Sequence, residues 1–332
     1  MERIQAGHGS GGKLMNDMIN NLIRKTFGEE SVQPDDAAVV DIPSSQAAFT
    51  TDTFVITPVF FPGGDIGSLA VNGTVNDLAV MGAVPKYISC SLILEEGLPM
   101  EELKTILESM KREADGAGVQ IVTGDTKVVP AGKADKIFIN TAGIGIFNSD
   151  IQRRPVKKGD AIIISGTIGD HGVAIMAERN QLSFSKGLES DCAYLNHLIA
   201  SVSKEFPQSI KFMRDATRGG VASVLNEIVA DQDFSAALVE EDLPLKDEVQ
   251  GMCEILGLDP LYVANEGKVL LIVEGSKAEE IVTLMQKNDK GKDAALIGRI
   301  TDDFPGKAYV ETPIGGKRLL PLLLEEQLPR IC

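Results

Sequence analysis

Short apolar runs of strand length alternate with helix-period segments along almost the whole chain. That alternation limits the fold more than any single motif does. In the first half, strand patterns stand at 37–42, 47–51, 54–57, 87–94, 119–122 and 136–147. Helical patterns occupy 14–27, 66–81 and 100–117, the first with Leu14, Met18, Leu22 and Ile23 at helical spacing and the last ended by Gly116 and Gly118. In the second half, strands at 161–165, 236–239, 269–273, 294–300 and 307–310 are interleaved with helices at 173–179, 193–203, 219–230, 246–256 and 277–287. The polar, proline-bearing stretch Arg153-Arg154-Pro155-Val156-Lys157-Lys158-Gly159-Asp160 separates the halves. The expectation is therefore an α+β fold of two domains, 1–152 and 153–312. A flexible tail follows over 313–332, where Gly315, Gly316, Pro321 and Pro329 interrupt any long period.

Composition narrows the function by exclusion. The hydrophobic fraction of 43% in 332 residues can fill two cores. No apolar run approaches the roughly 18 residues of a membrane span. The start, Met1-Glu2-Arg3, has no signal-peptide stretch, so a cytoplasmic location is expected. A net charge of −16 argues against nonspecific nucleic-acid binding. It leaves room for ATP, because glycine loops and metal ions can overcome the global field locally. The four cysteines, Cys90, Cys192, Cys253 and Cys332, form no C-x-x-C pair, which argues against a structural zinc site. A disulfide framework is equally unexpected at this size. Cys332 is the last residue. A terminal thiol on a flexible end is a nucleophile that can carry a group between sites.

Several stretches carry chemistry. Gly7–Leu14 reads G-H-G-S-G-G-K-L, but Leu14 stands where a P-loop needs Ser or Thr, and no strand precedes it. It reads either as a flexible arm or as a glycine lid that brings Lys13 to a phosphate. Aspartates recur at strand ends and in small-residue helices: Asp35 and Asp36 in P-D-D-A-A-V-V, Asp52 in T-T-D-T, Asp77 in V-N-D-L-A-V-M-G-A, Asp125 in T-G-D-T-K-V and Asp215 in M-R-D-A-T-R-G-G-V. Each alone reads equally as a turn or helix cap. Together they offer the hard oxygen ligands that magnesium takes beside phosphates. Gly219 and Gly220 open a helix whose N-terminus favours anions. Glu266, in V-A-N-E-G-K, stands just before a strand, and Lys127 follows Asp125 closely enough to join a phosphate cluster.

In order and spacing these strings resemble the ATP-binding superfamily of aminoimidazole ribonucleotide synthetase, selenophosphate synthetase and thiamine-monophosphate kinase. The later M-R-D-A-T-R-G-G-V-A, V-A-N-E-G and terminal P-R-I-C resemble the HypE family of carbamoyl dehydratases, which act in [NiFe]-hydrogenase maturation. The selenophosphate synthetases carry Cys or selenocysteine in the N-terminal glycine loop, where this chain has Ser10 and Gly11.

The resemblance implies an aminoimidazole ribonucleotide synthetase-like fold. Residues 1–152 would bind ATP and form a homodimer, with two N-terminal sheets closing an interface barrel. It implies ATP and Mg2+ as cofactors, a carbamoyltransferase, HypF, that loads Cys332, and a HypC–HypD iron-scaffold complex that accepts cyanide. On that reading Asp36, Asp77 and Asp215 are metal ligands. Lys13, Asp52, Asn76, Asp125, Gly219 and Gly220 hold the nucleotide, with Asp52 and Asp125 supporting the metal. Lys127 neutralises developing charge, and Glu266, as a buried carboxylate of raised pKa, is the base. Two alternatives stay open on sequence: a small-molecule kinase of the same superfamily, and an assembly scaffold whose ATP site only controls docking.

Overall fold

The computed structural model describes residues 3–5, 8, 17–27, 42, 46–147, 154–181, 188–322, 328 and 331–332. The chain divides into two compact units. One comprises Met1–Ala79, Ala83–Asn148 and Arg330–Cys332, and the other Val80–Gly82 and Ser149–Pro329.

In the first unit Arg3 bridges to Pro99, and a π-helical turn at Ile19–Ile23 leads into α1 (Arg24–Phe27). Its sheet comprises β1 (Ala47–Phe54), β4 (Val84–Glu95), β5 (Gln120–Val129) and β6 (Ile137–Ile146), in the order β1-β6-β4-β5. β4 and β5 run parallel, and the other pairings are antiparallel. The short strands β2 (Phe60–Phe61) and β3 (Gly64–Asp65) form a hairpin that leads into helix α2 (Ile66–Val80). Helix α3 (Met100–Ala117) links the parallel pair and ends at Gly118, which takes the left-handed φ of 72°.

Small residues let α2 approach its neighbours closely. Thr141 of β6 bonds the Ala70 carbonyl at 3.3 Å, and Gly143 leaves space for Thr74 and Leu78. A side chain on Gly67 would place its Cβ 2.4 Å from the Ile106 carbonyl of α3. Asp65 caps α2: its Oδ1 accepts the Gly67 and Ser68 amides at 2.7 and 3.0 Å. Burial raises the Asp65 carboxyl, and the hydrogen bonds from Ser109, Ser68 and Gly67 only partly oppose it.

Among the described residues the second unit carries seven strands in the order β13-β12-β9-β11-β7-β10-β8. These are β7 (Ala161–Ile164), β8 (Ile210–Asp215), β9 (Ser235–Val239), β10 (Val269–Val273), β11 (Ala295–Thr301), β12 (Ala308–Glu311) and β13 (Lys317–Leu319). The helices are α4 (Asp170–Arg179), α5 (Asn196–Glu205), α6 (Gly220–Val229), α7 (Asp247–Leu256) and α8 (Ala278–Met285). β10 reads Val-Leu-Leu-Ile-Val and every residue is buried, as in a central strand covered on both faces. α6 contributes Val221, Val224, Leu225 and Val229 to the core that includes Ile162, Leu270 and Ile272, and α8 packs on β7 and β11. Each such aliphatic burial stabilises by about 1.5–3 kcal/mol.

The short β2 and β3 were not read from sequence and β5 runs on to Val129, and two further strands depart for distinct reasons. β8, Ile-Lys-Phe-Met-Arg-Asp, shows no clean alternation because Lys211 is itself buried. β13 lies inside the stretch read as flexible tail, yet Lys317, Arg318 and Leu319 pair with Glu311, Val310 and Tyr309. Its exposed, charged pattern is that of a sheet edge, which composition alone reads as tail. Among the described residues the first unit's strands form an open sheet, not a closed barrel.

Two glycines separate packing from propensity. Gly67→Ala should destabilise the protein by about 1–3 kcal/mol, because the new methyl overlaps the α3 backbone. Gly251→Ala, in α7 with open space around it, should stabilise by about 0.5–1 kcal/mol. Denaturant titration of both variants checks the contrast.

Candidate active site

The first unit places two of the candidate acids between β1 and α2. Asp52 stands opposite Thr141 in the β1–β6 pairing, on the face that α2 covers. Its Oδ2 is 3.7 Å from where a Cβ on Gly73 would stand. One turn further along α2, Asp77 accepts a 2.8 Å hydrogen bond from Thr50 Oγ1 of β1. Asn76 is buried beside it. Asp52 and Asp77 thus share one layer of the unit and offer carboxylate oxygens there, the donor type that magnesium takes. Among the described residues no three His, Cys, Asp or Glu side chains are already grouped as a metal cage.

Asp125 and Lys127 fall elsewhere. A register irregularity between β4 and β5 pairs Ile88 with Ile121 but Ser89 with Thr123, so Val122 is an extra residue. Beyond it Thr126 sits beside buried Leu92, while Asp125 and Lys127 sit beside Ser91 and Ile93 on the opposite, open face. Within one chain, therefore, the structure does not bring Asp125 and Lys127 to the Asp52–Asp77 layer. They pair with each other at 3.0 Å. The Lys127 hydrogen bond holds the Asp125 carboxyl below its ordinary range. Both side chains are largely exposed, so the pair adds little to stability.

The terminal residue is docked in this unit. The Val55 amide donates to the Cys332 carbonyl at 3.1 Å, three residues beyond Asp52. Ile331 is buried and Cys332 is half-buried. Two of the other thiols are raised: burial pushes Cys90 up to about 12, and burial with nearby Asp259 pushes Cys253 up to about 11. Both stay protonated at neutral pH and are poor nucleophiles. Lys13 and Asp36 lie outside the described residues.

The second unit gathers three loops at one edge of its sheet. β7 and β8 end there and β10 begins there, since β10 is antiparallel to both. Asp215 is the last residue of β8 and pairs with Val269. Asn265, almost wholly buried, ties the loops together: its Oδ1 accepts the Gly169 amide at 2.7 Å, and its Nδ2 donates to the carbonyls of Ala216 at 2.8 Å and Val263 at 3.3 Å. Gly220, at a φ of 58°, packs so closely that a Cβ would lie 2.6 Å from the Leu261 carbonyl. The N-termini of α4 and α6 consequently open at the same edge, α6 directly after Gly219. Leu328 is buried in this unit against Gly172.

Glu266 is only 3% exposed. Its amide donates to Asp191 Oδ1 at 3.1 Å, and Lys268 Nζ lies 3.0 Å from Asp191 Oδ2. His171, fully buried, is bonded to Ser190 at 2.8 Å. Burial works to raise the Asp191 carboxyl, but Lys268, His171 and the Glu266 amide outweigh it and hold the group below the usual range. Asn265, Asp191, Lys268 and His171 were not singled out from sequence. Asn265 and Lys268 flank Glu266 in V-A-N-E-G-K, which is the signal that points to them.

Residues 34–147 match the AIR synthase related protein N-terminal domain, and 157–311 match its C-terminal domain. The two matches define a two-domain AIR synthase-related protein. Carbamoyl dehydratase HypE of Rhodobacter capsulatus is 45% identical over 337 residues, which cover 100% of this chain and 98% of that protein. A solved structure of hydrogenase maturation protein HypE in complex with ATP superposes with a TM-score of 0.92 at 43% identity, covering 98% of this chain and 99% of that one. A HypE–HypF complex superposes with a TM-score of 0.79 at 42% identity, covering 94% of this chain and 100% of that one. The chain belongs to the HypE family of carbamoyl dehydratases, enzymes of hydrogenase maturation.

Proposed function

We propose that the chain uses ATP to dehydrate a carboxamide carried on its own Cys332, giving the thiocyanate that supplies the cyanide ligand of [NiFe]-hydrogenase iron. The docking of Cys332 beside Val55, three residues past Asp52, carries the reading, because it sets the terminal residue within the unit that holds the candidate nucleotide acids. A thiol serving only as a loose end would need no such seat. The ATP-bound and HypF-bound relatives supply the nucleotide and the loading partner.

In the reaction, Cys332 arrives as S–C(=O)–NH2. The amide oxygen attacks the γ-phosphorus of ATP, ADP leaves, and the oxygen becomes part of a phosphate leaving group. Loss of nitrogen protons and departure of phosphate then leave S–C≡N. The sum is one water removed from the carboxamide and one ATP converted to ADP and phosphate. Phosphoryl transfer of this kind is mostly positioning and charge neutralisation. The N-terminus of α6, which Gly219 and Gly220 open, is the kind of helix start that favours an anion. Magnesium, with Asp36, Asp77 and Asp215 as its ligands and Asp52 in support, would neutralise triphosphate charge. Asn76 and Lys13 complete the nucleotide contacts. Glu266 takes the nitrogen proton.

Asp125 and Lys127 find their role through a second copy of the chain. The open sheet face carries Phe49, 71% exposed, together with Ile93 and Ile144. Covering this face in a homodimer closes two sheets into one barrel and brings Asp125 and Lys127 into the interface. Lys127 then neutralises developing phosphate charge. HypC–HypD receives the cyanide, all of this in the cytoplasm. On this reading 1–152 is the ATP-binding and dimerisation domain, 153–312 the partner domain and 313–332 the carrier tail, with β13 as its fixed base.

Two measurements test these statements. With HypF, carbamoyl phosphate and ATP, intact-mass analysis should show an adduct on Cys332 that then loses one water. Cys332→Ser should take up no adduct at that position while still binding ATP. Glu266→Gln should accumulate the carboxamide and lose water about a hundredfold or more slowly; normal cyanation by Glu266→Gln removes the base assignment. Sedimentation should find the native chain dimeric and Phe49→Asp/Ile93→Lys shifted toward monomer. An unchanged dimer would place the interface elsewhere.

A further inference from the structure

The buried carboxylate of Asp191 has no part in the reaction as set out above, yet it is bonded to the segment that carries the base. Its Oδ1 accepts the Glu266 amide and its Oδ2 the Gly267 amide, each at 3.1 Å. The two peptide groups flanking the Glu266 Cα are therefore fixed by one planar, two-oxygen acceptor. The strands of chain around them are close. A Cβ on Gly267 would stand 1.9 Å from the Asp191 carbonyl, so only glycine admits the approach. The Ala193 amide reaches back to the Glu266 carbonyl at 3.5 Å.

The acceptor is itself held. Lys268 Nζ lies 3.0 Å from Oδ2, with both side chains nearly closed off from solvent. Ser190, the neighbour of Asp191, accepts the Cys192 amide at 3.1 Å and meets His171 Nδ1. An ionised carboxylate serves here where an amide cannot. Asn has one acceptor oxygen, and its NH2 would face either a peptide N–H or the Lys268 ammonium. Leaving one of these buried amides without an acceptor costs about 1–3 kcal/mol, enough to let the segment move.

We propose that Asp191 is a positioning residue for the dehydration step: its two oxygens hold the Glu266–Gly267 backbone so that the Glu266 carboxylate keeps one orientation toward the carboxamide nitrogen. The inference rests on Glu266 acting as the base. A displacement on the order of 1 Å in such a group can cost about a hundredfold in rate. The loss would fall on the chemical step and not on loading of Cys332 or on nucleotide affinity.

The test uses the full-length chain loaded by HypF with carbamoyl phosphate, followed by single-turnover water loss on adding ATP. Asp191→Asn should slow water loss about tenfold or more, with carbamoylation and the half-saturating ATP concentration changed by less than about twofold. Asp191→Asn/Lys268→Gln removes the buried charge pair together. It should melt nearer the native temperature than the single variant while staying as slow, and it is the variant to read if the single one does not fold. On a Glu266→Gln background, Asp191→Asn should add no further slowing, since both changes act through the same group. A native rate in a folded Asp191 variant overturns the inference and leaves the base assignment standing. So does a further tenfold loss on the Glu266→Gln background. Normal water loss by Glu266→Gln alone overturns both.

Discussion

Asn265 accepts the Gly169 amide and donates to the Ala216 and Val263 carbonyls, and through those three bonds its side chain links the loop after β7, the loop after β8 and its own loop before β10. Backbone bonds from Gly172 to Ala264, from Asn265 to Ala216 and from Ala216 to Lys268 draw the same loops together. Their meeting is what opens α4 and α6 at one sheet edge and sets Glu266 there, one residue along. Gly220 allows the approach by lacking the Cβ that would strike the Leu261 carbonyl. Removing the amide would leave an orphan donor and two weakened acceptors at the point where the second unit gathers its chemistry.

The first unit solves a different problem. Its sheet has one face covered by α2 and one face open, and the candidate acids are divided between them. Asp52 and Asp77 lie in the covered layer, Asp125 and Lys127 on the open side. A single extra residue, Val122, sets that division by shifting the side-chain alternation of β5. The open face is thus both the apolar surface offered to a second chain and the bearer of the charged pair. Cys332, seated by its carbonyl on Val55, joins this unit although its chain neighbour Leu328 is anchored in the other.

Most helices and central strands were legible because periodicity and burial agree in them: α3, with glycine at its left-handed end, and β10, apolar at every position, are read within a residue or two. β8 was hidden because a buried lysine and an arginine break its pattern, and β13 because a charged edge strand looks like tail. Of the candidate site, the motif-borne residues could be named from sequence. The separation of Asp125 from Asp52 could not, since a bulge is a property of pairing and leaves no trace in composition. Asp191 was equally silent: Ser-Asp-Cys reads as a turn, and its partners lie 75 and 76 residues away.

The central claim is that the carboxamide oxygen leaves as phosphate after attacking ATP. Cys332 carrying a carboxamide labelled with heavy oxygen, given unlabelled ATP, tests it directly by mass analysis of the released inorganic phosphate. The account predicts one heavy oxygen in each phosphate formed with a thiocyanate. Heavy oxygen appearing in water, with unlabelled phosphate, would contradict it and reduce ATP hydrolysis to a conformational role.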